Sequence, residues 1–134
     1  FFSILSSVIL EGKKRVRLKV DDQAESSLKA WHVVTANGRF QGHALQVAPD
    51  ASIDDGLLDV LVFGDISLPD VFRHFPKLYS GKIETIKELI RTRGRKIVAS
   101  SDEPVLVEAD GEFIGRLPVE IEVVPAALRV IAGA

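Results

Sequence analysis

Three carboxylates crowd one short segment of the chain, residues 53–59 (Ile-Asp-Asp-Gly-Leu-Leu-Asp), with Gly56 at its corner. Like charges so close in sequence repel one another, which costs free energy. A divalent cation would offset that cost, because hard cations bind carboxylate, carbonyl and water oxygens. Spacing alone favours a plain turn instead, in which Asp side chains bond their own backbone and the glycine takes a positive φ.

A second acidic turn lies nearer the C-terminus, at residues 108–112 (Glu-Ala-Asp-Gly-Glu). It is typical of a tight hairpin turn at the end of a strand. Its functional interpretation is a general base at the rim of a cleft, since a carboxylate partly shielded from water can have its pKa raised toward the working pH. The residues alone leave both interpretations open.

Other kinds of chemistry find little support in the residue pattern. The histidines, His32, His43 and His74, share no metal-ligand spacing, so we interpret them as structural and expect no zinc. We place His74 near the polar face of an amphipathic helix. The serines lack a nucleophile-elbow context, and no glycine-rich phosphate loop occurs, so the sequence carries no nucleotide-binding element of its own.

Composition is typical of one globular domain, with 134 residues of which 46% are hydrophobic. A net charge of −2 gives no field that would attract nucleic acid. Cysteine is absent, which excludes disulfides, thiol catalysis and thiolate metal sites. The apolar residues 1–10 are too short for a membrane span of about 20 residues and lack signal-peptide features, and we expect the chain to begin inside a longer protein.

The hydrophobic periodicity predicts mostly strands. A strand at 28–35 contains Trp31, the Asn37-Gly38 pair indicates a hairpin returning at 43–47, and 57–63 is apolar on both faces except for Asp59. Further extended segments are predicted at 15–20, 105–110, 112–114, 119–124 and 128–132. Residues 1–11 and 86–99 are ambiguous: 1–11 and 87–93 fit a helix or a strand, while 96–100 resembles a strand.

One amphipathic helix is predicted at about residues 67–80, with a capping-box-like start at Ser67 and Asp70 and a stop at Gly81. Many short strands separated by turn signals, with one helix, predict a mainly β fold: an antiparallel β-sandwich or barrel with that helix packed on it.

Six short blocks follow one another along the chain, at residues 48–60, 75–82, 101–104, 110–112, 117–120 and 124–130. Their order and spacing are similar to those of the bacterial diacylglycerol kinase-like lipid kinases, within the diacylglycerol and sphingosine kinase superfamily. The resemblance is to the C-terminal domain only. It implies that residues 1–134 form the substrate-side β-sandwich, whereas the ATP-binding N-terminal domain, with its Gly-Gly-Asp-Gly motif, is absent from this chain. The family's active site lies between the two domains.

The resemblance also assigns roles to particular residues. The acidic turn would hold a structural Mg²⁺ through the side chain of Asp55 and the backbone carbonyls of Ser52 and Leu57. The proton acceptor from the lipid hydroxyl would be Asp110 or Glu112, of which we prefer Asp110. ATP would be bound mainly by the missing domain. The glycine-rich stretch that often follows the family's Asn-Gly turn is reduced here to Gly42.

Further expectations follow from the same resemblance: a lipid substrate at the membrane surface, a cytoplasmic location peripheral to the inner membrane, contact with the N-terminal domain, and no activity of the fragment alone. Separately, exposed edge strands lead us to expect a homodimer. The lipid is open among diacylglycerol, phosphatidylglycerol and sphingoid bases. A non-catalytic β-sandwich that binds lipid or protein is the alternative, motivated by basic strands at 13–19 and 91–96. The related NAD kinase group is a third candidate.

Overall fold

The computed structural model describes residues 12–42, 44–129 and 131, so the ambiguous segment 1–11 and His43 lie outside the described residues. The strands are β1 Lys14–Val20, β2 Ser26–Ala30, β3 His32–Ala36, β4 Leu58–Phe63, β5 Leu89–Gly94, β6 Lys96–Ser100, β7 Leu106–Ala109, β8 Glu112–Arg116 and β9 Val119–Glu122. Helix α1 spans Leu68–Ser80, and a 3₁₀ turn follows at Ile83–Thr85.

The strands form three antiparallel sheets, in the orders β2-β1-β6-β9, β3-β4-β5 and β7-β8. The first two sheets share one apolar core, to which β1 contributes Val16, Leu18 and Val20 and β4 contributes alternate residues. This arrangement confirms the predicted mainly β, antiparallel sandwich.

Strand β4 is the centre of the molecule. Val60 and Val62 face the core between the two large sheets, whereas Leu61 faces a second core on the side of α1. Both faces are therefore covered, which explains the nearly continuous apolar run and confirms the prediction of a central strand. The exception in that run, Asp59, is buried as well.

Helix α1 has the predicted boundaries. The Ser67 side chain accepts a hydrogen bond from the Asp70 amide, and Gly81 ends the helix in the left-handed conformation, with φ 70°. The helix covers the second core only partly, because Phe72 and Tyr79 remain about half exposed. No helix among the described residues is long and apolar enough to cross a membrane.

Two local predictions were wrong. The predicted strand 28–35 breaks at Trp31 into β2 and β3, which belong to different sheets. The predicted hairpin at Asn37-Gly38 does not form either, because neither residue has a positive φ and β3 pairs with β4 instead.

A loop takes the place of the returning strand. In the described part of 43–47, a single bridge joins Gln41 to Leu45, and Leu45, Val47, Ala48 and Ala51 are buried under α1. At the C-terminus, residues 128, 129 and 131 form no strand, contrary to prediction. The ambiguous segment 86–99 resolves into most of β5 and β6.

Candidate functional site

The Asp-Gly-Glu segment forms the tip of the β7–β8 hairpin. Ala109 pairs with Glu112, so Asp110 and Gly111 make a two-residue turn, with φ of 51° and 85°. Positive φ at both central residues defines a type I′ geometry, which Asp and Gly favour. The structure thus confirms the turn and places Asp110 and Glu112 next to each other, one in the turn and one at the first position of β8.

Both candidate bases are exposed to solvent. The described residues of this chain therefore leave both carboxylates open to water. The hairpin also exposes apolar side chains, among them Phe113 at 63% and Ile114 at 59%. Exposed apolar residues beside two accessible carboxylates mark a surface suited to contact with another domain or a ligand.

The acidic turn brings the predicted metal-site residues together. Asp55 Oδ1 accepts a hydrogen bond from the Leu57 amide at 2.9 Å, and Gly56 has φ 70°. The Ser52 hydroxyl donates to Asp54 Oδ1. These bonds are typical of an ordinary turn, which the residue spacing favoured: Asp54 accepts from the Ser52 hydroxyl and Asp55 from the Leu57 amide.

The acidic turn offers a divalent cation few side-chain ligands. The described residues contain no group of three or more His, Cys, Asp or Glu placed to hold a metal ion. The predicted ligands, the exposed carboxylate of Asp55 and the carbonyls of Ser52 and Leu57, are all oxygens, which fits Mg²⁺ with waters completing its coordination.

Three arginines frame the acidic turn, and sequence analysis missed their role. Arg93 donates from Nε to Asp59 Oδ1 at 2.9 Å and from Nη2 to the Asp50 carbonyl at 2.6 Å. Arg39 donates to the Ala51 carbonyl at 3.2 Å, and Arg91 pairs with the Asp50 carboxylate. This cationic frame places positive charge beside the carboxylates of Asp50 and Asp59.

The charges at this frame shift the pKa values of its members in the expected directions. The hydrogen bond from Arg91 lowers the pKa of Asp50, and the hydrogen bond to Asp59 raises the pKa of Arg93. A signal was present in the sequence: Asp59 is the one polar residue in β4, and Arg93 lies directly opposite it on β5.

An apolar cavity of about 90 Å³ lies between α1 and the β3-β4-β5 sheet. Its walls include Trp31, Val34, Phe63, Val71, Phe75 and Leu78. The Trp31 indole is fixed by a hydrogen bond from Nε1 to the Ile66 carbonyl at 2.7 Å. A cavity with such walls suits an aliphatic ligand.

Two histidines also line this cavity. Burial lowers the pKa of His32, and Glu108 on β7 acts in the opposite direction through its negative charge. His74 also lines the cavity, with its side chain only 16% exposed, so its predicted place near the polar face of α1 was wrong.

Comparison with known proteins agrees with the fold. A family model described as YegS C-terminal NAD kinase beta sandwich-like domain matches residues 3–132. A diacylglycerol kinase of Mycobacterium tuberculosis is 38% identical over 95 residues, which are 71% of this chain and 30% of that protein. A Staphylococcus aureus protein, named provisionally as a lipid kinase, is 31% identical over 118 residues, 86% of this chain and 38% of that protein.

Among solved structures, a diacylglycerol kinase from Bacillus anthracis superposes with a TM-score of 0.71 at 22% sequence identity, covering 92% of this chain and 42% of that chain. At this identity the superposition shows a shared fold. The chain spans 30–38% of the length of the two curated relatives above.

Proposed function

Because the chain belongs to the family of YegS C-terminal NAD kinase beta sandwich-like domains, we propose that it is the substrate-side domain of an ATP-dependent lipid kinase. The reaction is the phosphorylation of a lipid hydroxyl such as that of diacylglycerol. Relatives named diacylglycerol kinase and lipid kinase support the reaction class. The ATP-binding domain is expected in the part of the relatives that this chain does not span, and the fragment alone is inactive.

The observation that carries the proposal is the β7–β8 hairpin, which presents two accessible carboxylates beside an exposed apolar surface. In the proposed mechanism Asp110 accepts the proton of the lipid hydroxyl as its oxygen attacks the γ-phosphate, with Glu112 as the neighbouring carboxylate. Phosphoryl transfer depends mainly on positioning and charge stabilisation, so one base on this side is sufficient. Docking of the nucleotide-binding domain against the hairpin would supply the missing shielding from water.

The acidic turn is proposed to hold a structural Mg²⁺ through Asp55 and the carbonyls of Ser52 and Leu57. Such an ion would stiffen the turn. The arginine frame around Asp50 and Asp59 anchors the same loop to β5, so it supports the turn whether or not the ion is bound.

The cavity under α1 is proposed to receive the lipid tail. Its apolar walls match an acyl or alkyl chain. The lipid would be met at the inner surface of the cytoplasmic membrane, with the protein peripherally bound. A homodimer through edge strands completes the proposed partners.

The deciding experiment is phosphate transfer to diacylglycerol by the natural protein with its upstream domain. Transfer that depends on the hairpin carboxylates supports the proposal.

A non-catalytic lipid-binding module is the second candidate, favoured by the exposed Leu68, Phe72 and Tyr79 on α1. Liposome co-sedimentation of the chain separates the two proposals. Strong binding that is unaffected by Asp55→Ala and Asp110→Asn, together with no phosphate transfer by the protein that includes the upstream domain, would favour the binding module.

A further inference from the structure

Helix α1 carries an apolar stripe that the other described residues leave open. The stripe consists of Leu68, Phe72 and Tyr79, which are 39%, 54% and 48% exposed. These residues lie four and seven positions apart, so they share one side of the helix, next to the side that lines the cavity. An exposed apolar stripe on an amphipathic helix indicates a contact with another apolar surface.

Two cations lie beside the stripe. Arg73 and Lys77 are further round the same helix, and no carboxylate forms an ion pair with either of them among the described residues. The one acidic residue of the helix, Asp70, accepts a hydrogen bond from the Ser67 hydroxyl at 2.6 Å. Aromatic and aliphatic side chains flanked by free cations are typical of a helix that lies among the head groups of an anionic bilayer.

The other basic surface of the chain lies on the opposite side of the sandwich. Strand β1 buries alternate residues in the core between the two large sheets, so Arg15, Arg17 and Lys19 point outward. The four strands of this sheet expose no large apolar side chain. Helix α1 lies beyond the other large sheet, so one flat bilayer cannot contact both surfaces. Only the α1 side combines positive charge with an exposed apolar stripe.

We propose that α1 is the surface through which this chain contacts an anionic lipid bilayer, with Phe72 and Tyr79 inserted among the head groups and Arg73 and Lys77 beside the lipid phosphates. This orientation places the cavity on the membrane side of the sandwich, because α1 forms part of its wall. The inference rests on the proposed function, since a kinase of membrane lipids has to meet a bilayer.

A fluorescent label tests the orientation directly. The sequence contains no cysteine, so one introduced thiol can carry an environment-sensitive fluorophore. Leu68→Cys places the label in the stripe, and Ser27→Cys is the matched control on the opposite face, where Ser27 pairs with Arg17. Vesicles of phosphatidylcholine and phosphatidylglycerol should shift the emission of the label at position 68 to shorter wavelength and leave the label at position 27 unchanged.

Three results of the label experiment would overturn the inference. One is a shift at position 27 instead of position 68, which would place the membrane on the basic sheet. Another is no shift at either position. The third is an emission at position 68 that is already at short wavelength without vesicles and does not respond to them, because another part of the protein would then cover the stripe.

Co-sedimentation with the same vesicles measures the contribution of each group. The double variant Phe72→Ala and Tyr79→Ala should weaken binding about 10-fold or more, because two rings no longer leave water. Arg73→Gln and Lys77→Gln should each weaken it about 5-fold. Arg15→Gln and Lys19→Gln should change it by less than about 2-fold, because these cations lie more than a Debye length of about 8 Å from the bilayer. A larger loss in the β1 variants than in the α1 variants would overturn the inference.

Kinase assays separate this inference from the proposed function. The protein with its upstream domain is given long-chain diacylglycerol in vesicles or short-chain diacylglycerol dissolved in water. The double α1 variant should lose transfer in vesicles and keep transfer to the dissolved substrate. Wild-type rates on both substrates would overturn the role of α1 and leave the kinase proposal standing. If the wild type phosphorylates neither substrate, the proposed function fails, and the label at position 68 still decides whether α1 contacts the bilayer.

Discussion

Arg93 and Asp59 face each other across β5 and β4, with Nε of the arginine 2.9 Å from Oδ1 of the aspartate. The same guanidinium donates to the carbonyl of Asp50 at 2.6 Å. One side chain therefore connects the central strand of the sandwich to the start of the loop that carries the acidic turn. The Asp59 residue is only 6% exposed, so the hydrogen bond from Arg93 takes the place of bonds to water.

Replacing Arg93 with alanine is expected to destabilise the protein by about 1–3 kcal/mol, because a buried carboxylate loses its hydrogen bond. The value lies below that of a fully buried ion pair, since the arginine side chain is 42% exposed. Urea unfolding measures the loss. Arg91→Ala is the matched control two residues along the strand; its partner Asp50 has a side chain 59% exposed, so a loss below about 1 kcal/mol is expected. Equal losses for both variants would contradict the role given to Arg93.

Gly94 at the end of β5 has no room for a side chain. A Cβ atom there would lie 2.4 Å from Val20 Cγ1 and 2.8 Å from Asp21 Oδ2. The Asp21 carboxylate cannot move away freely, because Oδ1 accepts the amides of Arg95 and Lys96 at 2.9 and 2.8 Å. Gly94→Ala should therefore cost about 1–3 kcal/mol in unfolding free energy.

The control for Gly94 is Gly38→Ala, where the nearest atom to an added Cβ is Ile53 Cγ2 at 3.8 Å. This is ordinary van der Waals contact, so a change within about 0.5 kcal/mol is expected. Chemical denaturation of both variants checks the pair, and a Gly94→Ala protein as stable as the wild type would refute the packing argument.

Stability should fall in mild acid through His32. Burial lowers the pKa of His32, so the unfolded chain takes up a proton more readily than the folded one. The stabilisation is complete above the ordinary pKa of about 6.5 and is lost as the pH falls through the lowered pKa of the folded state. Thermal melting from neutral to acidic pH should show a shallower dependence in His32→Leu than in the wild type. Superimposable pH profiles would show that His32 does not carry this effect.

Mg²⁺ at ten times its dissociation constant should raise the melting temperature by about 5 °C if the acidic turn binds it. Asp55→Ala should abolish this difference, although it also lowers the melting temperature without metal by removing the bond to the Leu57 amide. Asp54→Ala is the control, because the Asp54 carboxylate bonds the Ser52 hydroxyl and is not a predicted ligand. If Mg²⁺ does not change the melting temperature of the wild type, the proposed metal site at the acidic turn is contradicted.

Local signals predicted the fold well where one rule acted alone. The capping residues Ser67 and Gly81 set both ends of α1, and the apolar run of β4 identified the central strand. The hairpin predicted at Asn37-Gly38 does not form because β3 pairs with β4, which begins more than 20 residues further along the chain. Pairing with β4 buries apolar side chains, and this outweighs the local preference for a turn.

The turns of the candidate site could be predicted from the sequence, but the side chains that surround those turns could not. Asp110 and Asp55 lie in the expected turns, since Asp and Gly encode such geometry locally. The pairing of Arg93 with Asp59 and the inward position of His74 depend on contacts between distant segments. Helical periodicity alone did not reveal that a histidine near the edge of the apolar face would line a cavity.

The central claim is that the β7–β8 hairpin carries the proton acceptor of a lipid kinase. The most direct measurement is the rate of phosphate transfer from ATP to diacylglycerol by the protein that includes the upstream domain. Asp110→Asn should lower kcat by about 100-fold or more while keeping the turn, because asparagine also tolerates the φ of 51°. Glu112→Gln should lower it less, and Glu108→Gln on the same hairpin should leave it near the wild-type value. A rate unchanged in both Asp110→Asn and Glu112→Gln would contradict the account.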